Sequence, residues 1–277
     1  MSFAISKLLV LTAIAATAAL GTYGQPSGSQ ASGQAFVGEM LTYEAKVDKI
    51  LRGITVAELT FAATSEPASN QIVIKSAAVS KGTLLKLFRF SFLQEYESTL
   101  DLNRFRILKT TKHDVQKQRV RDSEAVFDYA QRMVTFIETD PKDSMRPPRR
   151  IASEIGEQVY DMISAIYAVR LLPLAVGQKL EFSVSDSGLV YKVPFTVTAR
   201  EVQKTVFGKI SCFRVEPEIF GTGRLIEQKG KMVIWMTEDA RHVPVRAQVE
   251  TSLGEANIKL KSYLKPVPGP PNRAPNF

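Results

Sequence analysis

The sequence predicts a mainly β protein: a curved antiparallel sheet, or an open or closed barrel, of about twelve strands with one packed amphipathic helix. Three observations carry this. Apolar and polar residues alternate at period two over most of the chain, the pattern of half-buried strands. Turn-forming residues punctuate the alternation at short intervals, and a single stretch repeats at helical steps. Strands that follow strands without intervening helices pair antiparallel, and a sheet that wide has to curl or close.

The pattern begins near Met40, where Leu41, Tyr43, Ala45 and Val47 alternate with Thr42, Glu44, Lys46 and Asp48. Leu51-Arg52-Gly53 turns the chain into a second strand, on which Ala57, Leu59, Phe61 and Ala63 share one face. Residues 71–80 form a third. Residues 81–92 (KGTLLKLFRFSF) are too densely apolar for either period and read as a helical or irregular bend entering a strand over 90–100. Strands follow at 105–112, 119–128 and 131–138, the last two joined at Asp128-Tyr129-Ala130. Residues 140–150 (DPKDSMRPPRR) form a loop, because Pro141, Pro147 and Pro148 lack backbone donors.

Val159, Met162, Ile163, Ile166 and Tyr167 then recur at steps of three and four. That spacing predicts a helix over 156–171, ended by Pro173, with Tyr160 and Asp161 toward its other face. Strands resume at 180–184, 189–200 and 210–216, with turns at Ser185-Asp186-Ser187-Gly188 and Thr205-Val206-Phe207-Gly208. Residues 231–246 (KMVIWMTEDARHVPVR) are a hairpin. The apolar run from Met232 to Met236 holds the only tryptophan, Trp235, and Val243, Val245, Ala247 and Val249 alternate beyond the turn. A strand over 256–264 closes the domain.

The first residues carry a different signal. Lys7 precedes an uncharged apolar run, residues 8–20, and thirteen helical residues at about 1.5 Å each fall short of a bilayer core of about 30 Å. Small residues stand at −3 and −1 of two cleavage points, Ala19 and Gly21 or Thr22 and Gly24. Residues 1–24 are therefore expected to be a signal peptide, 25–36 a flexible polar lead, 37–265 one β-rich domain and 266–277 a disordered proline-rich tail. The stretch 140–172 is where two half-sheets would divide, if the domain is split. The mature chain is expected to be soluble, in the periplasm or secreted, without a transmembrane segment. No cysteine stands near the cleavage points to take a lipid anchor, and Cys212 has no disulfide partner in the chain.

Chemical motifs are sparse. His113 and His242 are the only histidines, and no metal-ligand spacing, phosphate loop or nucleophile elbow occurs, so no metal, cofactor or catalytic residue is expected. Glu238, Asp239 and His242 are the densest ionisable group and support a remote hydrolase reading, although a charged hairpin tip needs only water. The net charge of +8 favours anionic partners. Nucleic acid does not fit an exported protein. Lys81, Lys86 and Arg89 interleave with Leu84, Leu87, Phe88, Phe90 and Phe92, as at a boundary between water and lipid. Those five apolar residues are the candidate ligand contacts. The three cations, with Arg146, Arg149 and Arg150 of the proline loop, are the candidate anion contacts.

Three segments together resemble a family. Gly38-Glu39-Met40-Leu41-Thr42-Tyr43 matches a G-E-x-L-x-Y start, residues 160–172 a YDMISAIYAVR-like helix, and residues 235–246 a W-x-[ST]-x-D-x-R-x-x-P-V-R strand end. The chain is similar to the bacterial exported family catalogued as domain of unknown function 3108, from about Val37 to Leu264. The resemblance implies location and a β-rich fold, and no activity. In the last motif Trp235 reads as a core anchor, Asp239 and Arg241 as turn-fixing, Pro244 as a strand-start residue, with Arg246 closing it. The expected function is an envelope binding or carrier module for a lipid or other amphiphile. The alternative is a scaffold for an envelope protein partner.

Overall fold

A computed structural model describes residues 32–47, 54–81, 91–251 and 254–265. Fifteen strands join one sheet. In chain order these are β1 (Met40–Val47), β2 (Ile54–Glu66), β3 (Gln71–Ser80), β4 (Phe92–Asp101), β5 (Ile107–Gln116), β6 (Arg119–Asp128), β7 (Met133–Thr139), β8 (Arg149–Glu154), β9 (Tyr160–Asp161), β10 (Lys179–Asp186), β11 (Leu189–Thr205), β12 (Gly208–Pro217), β13 (Gly230–Thr237), β14 (Pro244–Thr251) and β15 (Gly254–Leu264). Helix α1 (Met162–Arg170) follows β9.

Across the sheet the order is β8-β7-β6-β5-β4-β3-β2-β1-β15-β14-β13-β12-β11-β10-β9. Nearly every neighbour is also a neighbour in sequence, as hairpins dictate, and β1 pairs β15 to join the two halves. The expected division near 140–172 is thus where the chain leaves one end of the sheet and re-enters at the other. Pairing is antiparallel except between β9 and β10, which run parallel.

The sheet is rolled. β4 and β9 stand ten strands apart in the order, about 48 Å in a flat sheet at ordinary strand spacing. Yet Asp161 on β9 accepts hydrogen bonds from Ser98 on β4 (2.5 Å) and Thr110 on β5 (2.7 Å). Register shifts at Thr42/Tyr43, Ala45/Lys46, Thr99/Leu100, Val197/Ala199 and Trp235/Met236 supply local bends. At the other contact between the sheet ends, the β10–β11 turn sits against β7 and β8. Its Gly188 has φ +82°, and a Cβ there would lie 2.6 Å from Phe136 Cβ and 2.9 Å from Ile151 Cβ. Glycine is required both for the turn and for the approach.

Inward-facing residues line the roll: Leu41, Tyr43 and Ala45 on β1, Ala57, Leu59, Phe61 and Ala63 on β2, Ile72, Ile74 and Ala78 on β3, and Ala256, Ile258 and Leu260 on β15 are all buried. Burial of the Leu, Ile and Phe side chains contributes roughly 1.5–3 kcal/mol each, and of the alanines less. Helix α1 fills the concave side.

Several expectations are corrected. Tyr160 and Asp161 belong to β9 rather than to the helix, which is correspondingly short. Asp161 caps α1: its Oδ1 accepts the Ser164 N–H at 2.7 Å, and Ser164 Oγ accepts the Asp161 N–H at 2.9 Å. A capping residue cannot be helical itself, so the apolar spacing that continued back to Val159 overran the true start. Arg149 and Arg150, expected in a loop, open the edge strand β8 and pair with Glu138 and Ile137. Their strand is too exposed and polar to show alternation. Gly33–Phe36, expected in the polar lead, forms a 3-10 turn that buries Phe36 against Phe105 and Tyr167. The signal-peptide and tail expectations, the Leu51-Arg52-Gly53 turn, and Leu84, Lys86, Leu87, Phe88, Arg89 and Phe90 lie outside the described residues.

Candidate functional site

Helix α1 presents Met162, Ile163, Ala165, Tyr167, Ala168 and Val169 to the core, while Ile166 stays half-buried. Its last residue, Arg170, is buried, with side-chain exposure of 2%. A cation at a helix C-terminus meets the negative end of the backbone dipole. Here it also meets Glu39, just before β1: Nη1 and Nη2 donate to the two carboxylate oxygens at 2.6 and 2.7 Å. Burial opposes the Arg170 charge, but the Glu39 carboxylate holds its pKa above the ordinary value.

The same guanidinium reaches the β13–β14 turn. Arg170 Nε donates to the Arg241 carbonyl (3.2 Å), and His242 Nδ1 lies 3.2 Å from the Arg170 carbonyl, a contact that needs the proton on Nδ1. Burial lowers the His242 pKa, so the ring is neutral. Tyr43 donates to the Pro244 carbonyl at 2.9 Å. Glu39 and Tyr43 from the first signature segment, Arg170 from the second and Arg241, His242 and Pro244 from the third therefore form one clasp. Sequence reading quoted Glu39 and Arg170 within motifs without assigning either a role, since nothing local pairs residues 131 positions apart.

Beside the clasp lies a partly open crevice. Leu41, Tyr43, Leu59, Phe61, Ile234, Ala247 and Ile258 line the sheet side, and Ile166, Tyr167 and Arg170 the helix side. It encloses about 480 Å³ between atoms, counting the part continuous with solvent. A second apolar crevice of about 310 Å³ shares Ile166 and Ile234 and continues past Val169 to Phe195, Val215 and Met236. Both flanks of the half-buried Ile166 are thus apolar. A third crevice, of about 390 Å³ near the helix start, is more polar, with Tyr96, Thr110, Lys112, Asp161 and Asp186.

The predicted contact residues are dispersed. Phe92 is buried at the start of β4 and faces inward. Lys81, just beyond β3, pairs with Glu58. Arg146 is 3.8 Å from Asp140, which also pairs with Arg121. The Arg149 guanidinium lies 5.9 Å from the Phe136 ring centre. None of these described cations lines the apolar crevices.

The hairpin residues each have local partners. Trp235 is buried, but register places it beside Arg214 and Arg246, on the face opposite Ile234 and the helix. Arg246 covers the ring at 4.5 Å and Glu201 accepts the indole N–H at 2.7 Å. The expected core anchor is thus buried within the hydrophobic cluster, on the strand face away from the helix. Asp239 accepts from Thr237 Oγ1 at 2.8 Å and from the Arg241 N–H and Nε at 3.0 Å each. Glu238 pairs with Arg200 at 3.0 Å. The two carboxylates and His242 thus each face a different partner and do not converge as acid–base machinery. Cys212 is buried, which pushes its thiol up to about 11.

Among the described residues no group of three or more His, Cys, Asp or Glu is arranged to hold a metal ion, and no helix is long and apolar enough to cross a membrane.

Comparison with curated proteins returned no match. Among solved structures, a β-barrel-like protein of domain of unknown function DUF1849 from Brucella abortus is similar over 82% of this chain and 97% of its own, at 9% identity and a TM-score of 0.50. A hypothetical protein from Chlamydia trachomatis aligns over 91% of this chain and 100% of its own, at 11% identity and a TM-score of 0.32. The first shares the rolled β architecture. Residues 42–261 match the family described as Protein of unknown function (DUF3108), and this chain belongs to that family.

Proposed function

We propose that the protein is an exported, non-enzymatic binding module of the bacterial cell envelope, and that its ligand is a lipid or other amphiphile. The observation that carries this reading is the apolar crevice under α1, bounded by Leu59, Phe61, Ile234 and Ile258 and roofed by Ile166 and Tyr167. Counted as room for a water-sized guest it holds only about 40 Å³, below the about 300–1,000 Å³ of small-molecule sites, so an acyl chain enters as Ile166 and Tyr167 part from the sheet; its lining is mostly apolar. Apolar chains enter such a space because their transfer from water is favourable by about 0.8 kcal/mol per buried methylene. The signal-like residues 1–24 supply the export, and the basic surface suits anionic head groups nearby.

Native mass spectrometry of protein purified from the periplasm tests this directly. Bound lipid is expected on the wild type, on a chain whose mass starts between residues 21 and 25. Ile166→Glu, which puts a charge between the two apolar crevices, should lower lipid occupancy at least tenfold while the fold persists. Repeated recovery of lipid-free protein with no lipid-induced thermal shift would overturn the proposal.

A further inference from the structure

The crevice beneath α1 carries information about the polar part of its ligand. Four polar residues line it: the Arg246 guanidinium is turned to the opposite strand face, over the Trp235 ring and donating to Gln248 and Asn257, and two of the other three are already committed. Tyr43 donates its hydroxyl to Pro244. The Arg170 guanidinium is taken by both oxygens of Glu39 and by the Arg241 carbonyl. The third, Tyr167, is 1% exposed and its hydroxyl has no hydrogen-bond partner among the described residues. A buried hydroxyl left unpaired costs about 1–3 kcal/mol, so such a group is a place where a partner is expected. Burial drives its ionisation far above the ordinary phenol range, so it remains a donor at physiological pH.

The charge balance limits what it can donate to. Arg170 and Glu39 neutralise one another and the Arg246 guanidinium is held over Trp235 on the other strand face, so neither cation is placed to hold a carboxylate, which would also sit near the Glu39 anion. Resting on the reading of the crevice as an amphiphile site, we propose that the ligand bears an uncharged hydrogen-bond acceptor, such as the ester carbonyl of an acylglycerol, and that the Tyr167 hydroxyl donates to it.

The test uses delipidated mature protein, titrated calorimetrically with monopalmitoylglycerol and with palmitate at equal pH. The wild type should bind the ester more tightly than the fatty acid. Tyr167→Phe should weaken the ester about tenfold, equivalent to about 1.4 kcal/mol, and leave palmitate unchanged. Because the hydroxyl has no partner among the described residues and is costly to bury unpaired, the same variant should keep or raise the wild-type Tm. A lowered Tm would reveal an internal partner and overturn the assignment, as would unchanged ester affinity in Tyr167→Phe or a preference for palmitate in the wild type. In those cases the crevice still binds a chain, and only the role of Tyr167 fails. Absence of binding by either probe to the wild type would instead overturn the reading of the crevice itself.

Discussion

The two neighbouring regions at the end of α1 differ in how their polar groups are treated. In the clasp, Glu39, Arg170, the Arg241 carbonyl, His242 and Tyr43 all have partners, several of them far apart in sequence. In the crevice beside it, apolar walls leave space, and the Tyr167 hydroxyl has no partner among the described residues. A fully paired network specifies geometry, whereas open apolar space with one unsatisfied donor suits a visitor. The residues of the clasp thus hold the helix in place, and most of the crevice lining is ordinary apolar residues on the strands.

The comparison breaks first at the ion pair. Arg170→Ala should cost about 3–5 kcal/mol in urea unfolding, because it strands a buried carboxylate. Replacing both partners, as in Glu39→Leu with Arg170→Met, should recover much of that loss. A single variant that costs less than about 1 kcal/mol would show that the clasp does not hold the helix. Asp161→Ala comes next, at about 2–3 kcal/mol, since it removes the cap and leaves the Ser98 and Thr110 hydroxyls without their acceptor. Chemical denaturation would read this loss, and no loss would mean that Asp161 does not tie the sheet ends together. Ile166→Glu, by contrast, should change stability by about 1 kcal/mol or less, since the side chain is half-buried and the charge can reach water. A large fall would move Ile166 from the crevice to the core.

The smallest effect concerns pH. The folded His242 pKa lies below 6.5, so the unfolded chain binds more protons once the pH falls to that region. Stability should decline as pH drops from about 7 through 6.5 towards the folded pKa, and His242 should contribute no slope at higher pH. His242→Gln should flatten that decline in urea midpoints, and an unchanged slope would assign it elsewhere. At lower pH a separate loss follows from Asp114, whose carboxyl is buried yet held below its ordinary 3.8 by Lys112 and by hydrogen bonds from Gln94, Gln116 and Arg119. Its contribution is present above that value and vanishes as it protonates.

Much of the fold was legible where patterns are local. Strand β6 was read with its observed bounds, and the turns were placed within Ser185–Gly188 and Thr205–Gly208 and the hairpin of β13 and β14 within residues 231–246. Each shows alternation on a half-buried face or residues that tolerate a left-handed turn. Strands β8 and β9 were missed for opposite reasons. The first is an exposed edge whose polar residues face water on both sides, and the second is a two-residue pairing that leads straight into a helix. The site was less legible still. The candidate contacts were chosen from a basic–aromatic stretch, while the crevice draws one or two residues from each of several strands, none conspicuous alone.

By itself the sequence determined a β-rich chain of hairpins with one helix, because side-chain period and turn chemistry depend on near neighbours. Only the tertiary structure decided that the sheet rolls until β9 meets β4 and β5, and that Arg246 covers the buried Trp235 ring. It also decided that Glu39 finds Arg170. Those outcomes depend on accumulated twist, on register and on charges brought together across long loops. No window of neighbouring residues contains them.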